Sequence, residues 1–478
     1  MSLFHPSTTL LLCLLLPIVF GQPSASNEPP LRATRKSFAF EWCDCETGAN
    51  NVTVWPIMQD GNKDVANKII IGAGKAPLYI EWKNKVKAIG WVCSNMKKEH
   101  RSTVLGGSQV WSVQLKNIKK PFPCSKASGR LHVVTYDSVS YNTSIVFSSG
   151  EGGYECIKIP VLLRTLENSL LAFAEARKHS CSDFAWTDLV VKRSVDNGLT
   201  WSPLLVVRSE SGPGLPHTVI GNAAPVQLKA SRKILVPHTS NNSIAWCTAS
   251  TDDGQTWSKA ASLENVTKPE WKWIGTGPPG SVELENGRIL VPSYHSKYRG
   301  NLINNIVHGH VIVSDDEGES WRLGATQFGE GDKCSNECQA VQLNNGSVLI
   351  NARSFATLTK QKRIQTLSND GGLTFGPTRW VDDLPQPFDG CEGSMIRLPQ
   401  NGSLYFSGPD SYLKRDHLTV WKSENEGLSW ETYVLVDPGA SGYSSLQTHE
   451  NVLELLYEQS DEDDLIMAPD RFVYRVVV

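Results

Sequence analysis

Five side chains spread across residues 183–443 have the types that acid–base and covalent chemistry need. They are Asp183 in Ser182-Asp183, Glu337 in Asn336-Glu337-Cys338-Gln339, Arg353 in Asn351-Ala-Arg353-Ser354, Arg415 in Lys414-Arg415-Asp-His, and Tyr443 in Ser441-Gly-Tyr443-Ser. A carboxylic acid can give or take a proton. A tyrosine, with an ordinary pKa of about 10, becomes a nucleophile only beside a base. A guanidinium fork matches a planar carboxylate through paired hydrogen bonds. Singly, each residue has a plain structural reading: a surface ion pair for either arginine, a turn for Asp183, a core hydroxyl for Tyr443. Cys43-Asp-Cys45 and Cys334-x-x-x-Cys338 could suggest metal, but neither has a second Cys or His pair at ligand spacing. Disulfide bonding or plain burial is the reading for both.

What must position those residues is visible as a repeat. Ser194-Val-Asp196-Asn-Gly198-Leu-Thr-Trp201 recurs from Ser250 to Trp257 and from Ser314 to Trp321. Degenerate copies run from Ser368 to Phe375, with Phe in place of Trp, and from Ser423 to Trp430, with Asn425 in place of Asp. Such an octapeptide suits a hairpin turn. The Asp carboxylate folds onto nearby backbone N–H groups, the Gly takes positive φ, and the aromatic ring tucks beneath. The copies start 56, 64, 54 and 55 residues apart, the size of one four-stranded blade. Residues 152–478 therefore predict a β-propeller of about six blades. Arg288-Ile-Leu-Val-Pro292 and Ser347-Val-Leu-Ile350 read as strands after Asn-Gly turns. The boxes themselves hold hairpins and do no chemistry.

Outside the boxes, the propeller resembles the sialidase (neuraminidase) family, nearest to the animal lysosomal type. The resemblance is carried by Ser169-Leu-Leu-Ala-Phe-Ala-Glu-Ala-Arg177 with Ser182-Asp183, by Gly275-Thr-Gly277-Pro278, and by the segments around Glu337, Arg353 and Tyr443, in family order. It implies a retaining exo-α-sialidase with Asp183 as acid/base, Tyr443 as nucleophile and Glu337 as its partner. Arg353 and Arg415 match two of the family's three carboxylate-binding arginines, and Arg177 matches the arginine near the sugar's 4-position. A sialoside carries a carboxylate on its anomeric carbon, so a neutral nucleophile avoids repulsion. One position departs. Where the family has Arg-Ile-Pro, this chain has Lys158-Ile159-Pro160. Lysine keeps the charge and loses the fork. One charge-assisted hydrogen bond is worth about 1.5–3 kcal/mol, or roughly tenfold to a hundredfold in rate. A sialic-acid-binding lectin with weakened catalysis is the alternative that Lys158 motivates. Sialylated glycans are the expected partners. No metal or other cofactor is called for.

The rest of the chain supplies context. Residues 9–20 are apolar, too few to span a bilayer, and are followed by Gly21-Gln22, so 1–21 reads as a secretion signal. Six N-x-S/T sequons (Asn51, Asn142, Asn241, Asn265, Asn345, Asn401) and ten cysteines beyond Cys13 agree with a secretory route to a lysosome or the extracellular space. No stretch of the mature chain is apolar enough to cross a membrane. Residues 37–150 lack the box and predict a small disulfide-linked β domain, with Trp55, Trp82, Trp91 and Trp111 as core or carbohydrate contacts. The fold class expected is thus all-β: a six-bladed propeller plus that N-terminal domain. A net charge of -3 without a basic stripe argues against nucleic acid. The late run Glu458-Gln-Ser-Asp461-Glu-Asp-Asp464 reads as a solvated loop.

Overall fold

The computed structural model describes residues 143–477 except 211–215, 299–306, 330, 355–359 and 462–467; before residue 143 it describes the backbone of six strands. The signal segment, the four N-terminal tryptophan side chains, the sequons at Asn51 and Asn142, and Cys43, Cys45, Cys93 and Cys124 lie outside the described side chains.

The chain is all-β, and the one helical element among the described residues is a 3-10 turn, Glu151–Gly153. Antiparallel sheets follow one another as simple meanders. The first runs Cys156–Arg164, Leu170–Arg177, Thr187–Ser194, Leu205–Arg208. The second and third are built around Ile234–Ser240 with Ile244–Ser250, and Ile289–Ser296 with Val307–Ser314. The fourth runs Ser335–Gln342, Val348–Ser354, Lys362–Ser368, Arg379–Pro385. A longer sheet then passes from Ser394–Arg397 through the 19-residue strand Glu431–His449 to Arg471–Val477. Its last partner is Thr143–Ser148, which precedes the first sheet in sequence. These are propeller-like blades. Upstream, Leu31–Glu41 pairs with Ser128–Ser138, and Leu31 and Arg32 also pair with Leu435 and Val434.

The boxes form the turns expected of them. In the first, Ser194 Oγ accepts from Gly198 N–H at 2.9 Å, and Asp196 Oδ1 accepts from Thr200 N–H at 2.9 Å. Asn425 makes the same bond to Ser429 N–H, so the missing carboxylate costs no hydrogen bond there. The residue before the glycine also takes positive φ in each box, for example Asp253 (59°) before Gly254 (79°). Each box further locks neighbouring sheets together. A Cβ on Gly254 would lie 2.7 Å from Leu171 of the preceding sheet, and Trp201 Nε1 donates to Ser144 Oγ at 3.0 Å. Apolar clusters fill the gaps between sheets, such as Phe173, Val191, Ile234 and Val236 between the first two.

Cysteine pairing is narrower than the even count suggested. Among the described residues Cys156 and Cys181 are bonded, whereas Cys247, Cys334, Cys338 and Cys391 are free thiols. Cys338 and Cys391 are buried, and that burial raises their thiol pKa.

Candidate active site

The candidate residues converge on one pocket. Lys158, Arg177, Asp183, Glu337, Arg353, Arg415 and Tyr443 all line it, together with Glu175, Asn222, Asn242, Asn336 and an apolar group of Trp273, Tyr294 and Val307. They come from the strands, strand ends and following loops of successive sheets.

Regular strands would not deliver them. Three strands break register at the pocket: between Lys158 and Val161, between Ser335 and Cys338, and between Ser441 and Ser444. A bulge inserts an unpaired residue and re-aims the side chains around it. Those three bulges carry Lys158, Glu337 and Tyr443 respectively. At the first, Ile159 has φ 60°, a costly conformation for a β-branched residue that the surroundings must enforce. The enforcing group is Glu458. Its carboxylate accepts from Ile159 N–H and from Tyr443 N–H, each at 3.1 Å. The solvated reading of the 458–464 run is therefore wrong at its first residue: Glu458 is fully buried in the strand Val452–Gln459. An acidic run in sequence hides the fact that strand alternation turns one member inward.

At the centre, Tyr443 donates its phenol proton to Glu337 Oε1 at 2.5 Å. Arg353 Nη1 donates to Glu337 Oε2 at 2.7 Å and to the Tyr443 oxygen at 2.8 Å. Burial and the Glu337 charge push the phenol well above its ordinary pKa, with Arg353 and Arg415 opposing. The Tyr443 phenol is thus neutral and hydrogen-bonded to a carboxylate that can accept its proton.

The cations are held by a backbone turn. Asp389 carbonyl accepts from Arg353 Nε (3.2 Å) and Nη2 (2.7 Å), Gly390 carbonyl from Arg415 Nη2 (3.2 Å), and Cys391 carbonyl from buried Arg363 Nη1 (2.7 Å). Glu392 next in line accepts from Ser444 N–H at 2.9 Å. Arg415 Nη1 is buried with no hydrogen-bond partner. An unpaired buried guanidinium donor is costly unless an anion completes it. Lys158 is only 3% exposed. Burial lowers its pKa; Glu458 opposes that and Arg177 adds to it.

Asp183 stands apart at the mouth, its side chain 65% exposed, with Oδ1 at 2.8 Å from Arg177 Nη1. Contact with the pocket wall works to raise its pKa, but Arg177 and Lys158 prevail and hold it below the usual carboxylate range. Arg177 is also gripped by Glu175 through Nε (3.2 Å) and Nη2 (2.7 Å). Glu175, Glu392, Glu458 and the 389–391 carbonyls escaped the sequence reading. A lone Glu in the apolar run Leu170–Arg177 was the one available signal among them.

Residues 237–455 match the family model described as a BNR repeat-like domain. Sialidase-2 of Mus musculus is 29% identical over 335 residues, covering 62% of this chain and 85% of that protein. A sialidase of Micromonospora viridifaciens is 27% identical over 344 residues, covering 65% of this chain and 51% of that protein. Among solved structures, the Hadza microbial sialidase Hz136 superposes with a TM-score of 0.61 at 19% identity, covering 93% of this chain and 90% of that one. That last likeness bears on the fold.

Proposed function

We propose that the chain is a sialidase-type glycoside hydrolase, an exo-α-sialidase that releases terminal sialic acids from glycoproteins, glycolipids and oligosaccharides with retention; the likeness to sialidases supports this reading. The observation that carries this reading is the Tyr443–Glu337–Arg353 arrangement, a neutral phenol hydrogen-bonded to a base and flanked by a cation.

The substrate carboxylate meets Lys158, Arg353 and Arg415, completing the unpaired Arg415 donor. Tyr443 oxygen attacks the anomeric carbon as the bond to the aglycone oxygen breaks. Glu337 takes the phenol proton, and Asp183 gives one to the departing oxygen. Water then attacks the glycosyl-tyrosine with Asp183 as base, and Glu337 returns the proton to Tyr443. Asp183 must be protonated for the first step, whereas the free pocket keeps it ionised. An anionic substrate cancels the field of Lys158 and Arg353 that depresses it, so binding itself raises the acid's pKa. The lectin alternative is disfavoured because a binding module has no use for an acid, a nucleophile and a base in one pocket.

We read the scaffold as six blades, the long sheet being two blades that share Glu431–His449. Residues 1–21 remain assigned as a secretion signal, 37–150 as a separate β domain and 152–478 as the propeller, with a lysosomal or extracellular destination. The strand Thr143–Ser148 also serves the last blade.

A fluorogenic sialoside at acidic pH tests the activity, and proton NMR of the first-formed sugar tests the stereochemistry. The α-anomer should appear first. Initial release of the β-anomer, or unchanged turnover by Tyr443→Phe, defeats the mechanism.

A further inference from the structure

Cys156 begins the strand that carries Lys158 and lies opposite Arg177 in the sheet register. From Arg177 the chain leaves the sheet and returns at Trp186, whose carbonyl accepts from Lys178 N–H at 2.8 Å. Inside that excursion, Cys181 is bonded back to Cys156, and Asp183 follows two residues later. The Cys181 carbonyl and the Asp183 carboxylate both accept from Arg177 Nη1, at 2.7 and 2.8 Å.

Beyond the crosslink and Arg177, the outer half of this loop is held by local contacts: Ala185 N–H donates to the Ser182 carbonyl at 3.0 Å, and Trp186 stacks on His217. The Asp183 side chain is 65% exposed although its partner Arg177 is buried, so solvent weakens the pair from one side only. Phe184 is 61% exposed and touches Trp273 edge-on, with ring centroids 5.8 Å apart. Arg177, in contrast, keeps two bonds to buried Glu175 whatever the loop does. The acid's loop is thus tied to the sheet by the crosslink and by Arg177, whereas Arg177 is held by Glu175 without the crosslink.

We propose that the Cys156–Cys181 disulfide is a positioning element for the leaving-group acid: it keeps Asp183 within reach of the departing oxygen, and opening it impairs proton donation while leaving the sugar pocket intact. The proposal rests on the exo-sialidase reading above, with Asp183 as the acid. Positioned proton transfer contributes about 10²–10⁴-fold. It matters for an alkoxide-like leaving group and hardly at all for a phenol-like one that departs without help.

The test compares 4-methylumbelliferyl sialoside with sialyllactose on the full chain, using wild type, the Cys156→Ala/Cys181→Ala double variant, and wild type opened with a dithiol. In that reaction the two cysteines gain hydrogen as the dithiol becomes a cyclic disulfide. Sialyllactose turnover should fall by about 100-fold or more, with aryl sialoside turnover nearly unchanged. The dithiol should not shift the double variant's ratio further. If the double variant does not fold, the reduced wild type, with native circular dichroism and mass spectrometry showing the bond open, decides. Equal loss on both substrates, or no loss on either, in folded protein with the bond absent overturns the proposal. A wild type inactive on both substrates instead defeats the sialidase reading.

Discussion

Tyr443 and Glu337 are 106 residues apart in sequence and belong to different sheets, yet the phenol meets the carboxylate at 2.5 Å. Both sit in strand bulges, and Arg353 Nη1 touches the two of them. Carboxylate, phenol and guanidinium thus form one closed unit, and in the proposed mechanism the phenol proton's destination exists before substrate arrives. Pre-organisation of this kind lets a neutral phenol become a nucleophile at a pH far below its own pKa.

Removing the base from that unit should cost the chemical step and little of the binding. Glu337→Gln preserves the size and accepts the phenol hydrogen bond, but is too weak a base to take the proton. We expect kcat to fall by about 10²–10⁴-fold with KM within a few-fold, measured on the aryl sialoside. In Tyr443→Phe, a 2,3-difluoro sialic acid that traps the wild-type nucleophile should leave residue 443 unlabelled by mass spectrometry.

The Asp183 carboxyl lies below its usual range in the free pocket because Arg177 and Lys158 face it. The proposed mechanism needs it protonated, so each rate should fall as pH rises through its pKa. The kcat/KM profile reports the free protein and kcat the complex. An anionic substrate offsets the cations, so the alkaline limb of kcat should lie at higher pH than that of kcat/KM on sialyllactose. Coincident limbs would show that substrate does not raise the acid's pKa.

Lys158 should leave its own signature. Its ammonium is held below the ordinary lysine value, chiefly by burial, so it loses its charge as pH rises, at a lower pH than a free lysine would. KM for a sialoside should therefore climb in the alkaline range in wild type and stay flat in Lys158→Arg. The fork regained by arginine should raise kcat/KM about tenfold to a hundredfold. Glu458→Gln removes the charge that opposes deprotonation and should move the wild-type KM rise to lower pH.

How far sequence reasoning reached follows from the range of the forces involved. The boxes were legible because an octapeptide closes on itself: Ser194, Asp196, Gly198 and Thr200 satisfy one another within seven residues. The seven pocket residues were legible through the family resemblance, and they do line one pocket. The bulges were not, since a register shift belongs to a pair of strands rather than to either one. Glu458 was misread because its partners are Ile159 and Tyr443, which no local pattern connects to it. The 389–391 carbonyls are main-chain groups and carry no residue signature at all.

That turn makes a prediction of its own. Gly390 has φ 71°, and a Cβ there would meet Ser354 oxygen at 2.7 Å and Arg353 Cγ at 3.0 Å. Gly390→Ala should push the carbonyls off Arg353 and Arg415, the two forks we propose to face the substrate carboxylate. We expect KM to rise about tenfold or more, with a smaller drop in kcat. The decisive readout is the affinity of a sialic-acid analogue against its carboxamide. Wild type should strongly prefer the carboxylate, and the variant should lose most of that preference, which general loosening of the fold would not do.

The box glycines offer the converse case, a change that harms the scaffold and spares the site. Gly254 combines φ 79° with a neighbour, Leu171, in a different sheet. An alanine there costs about 1–2 kcal/mol for the left-handed backbone and about 1–3 kcal/mol for crowding Leu171 in a packed core. Leu171 is fully buried, so it cannot swing into solvent to relieve the contact. Gly254→Ala should therefore lower the denaturant midpoint substantially, with kcat and KM per folded molecule unchanged, because no pocket residue touches this turn. Gly287→Ala supplies the comparison. It too has positive φ (83°), but a Cβ there meets nothing within 4 Å, so it should show the backbone cost alone. The difference between the two midpoints then isolates what close packing between neighbouring sheets contributes. Equal destabilisation by both variants would mean that the boxes do not lock adjacent sheets together.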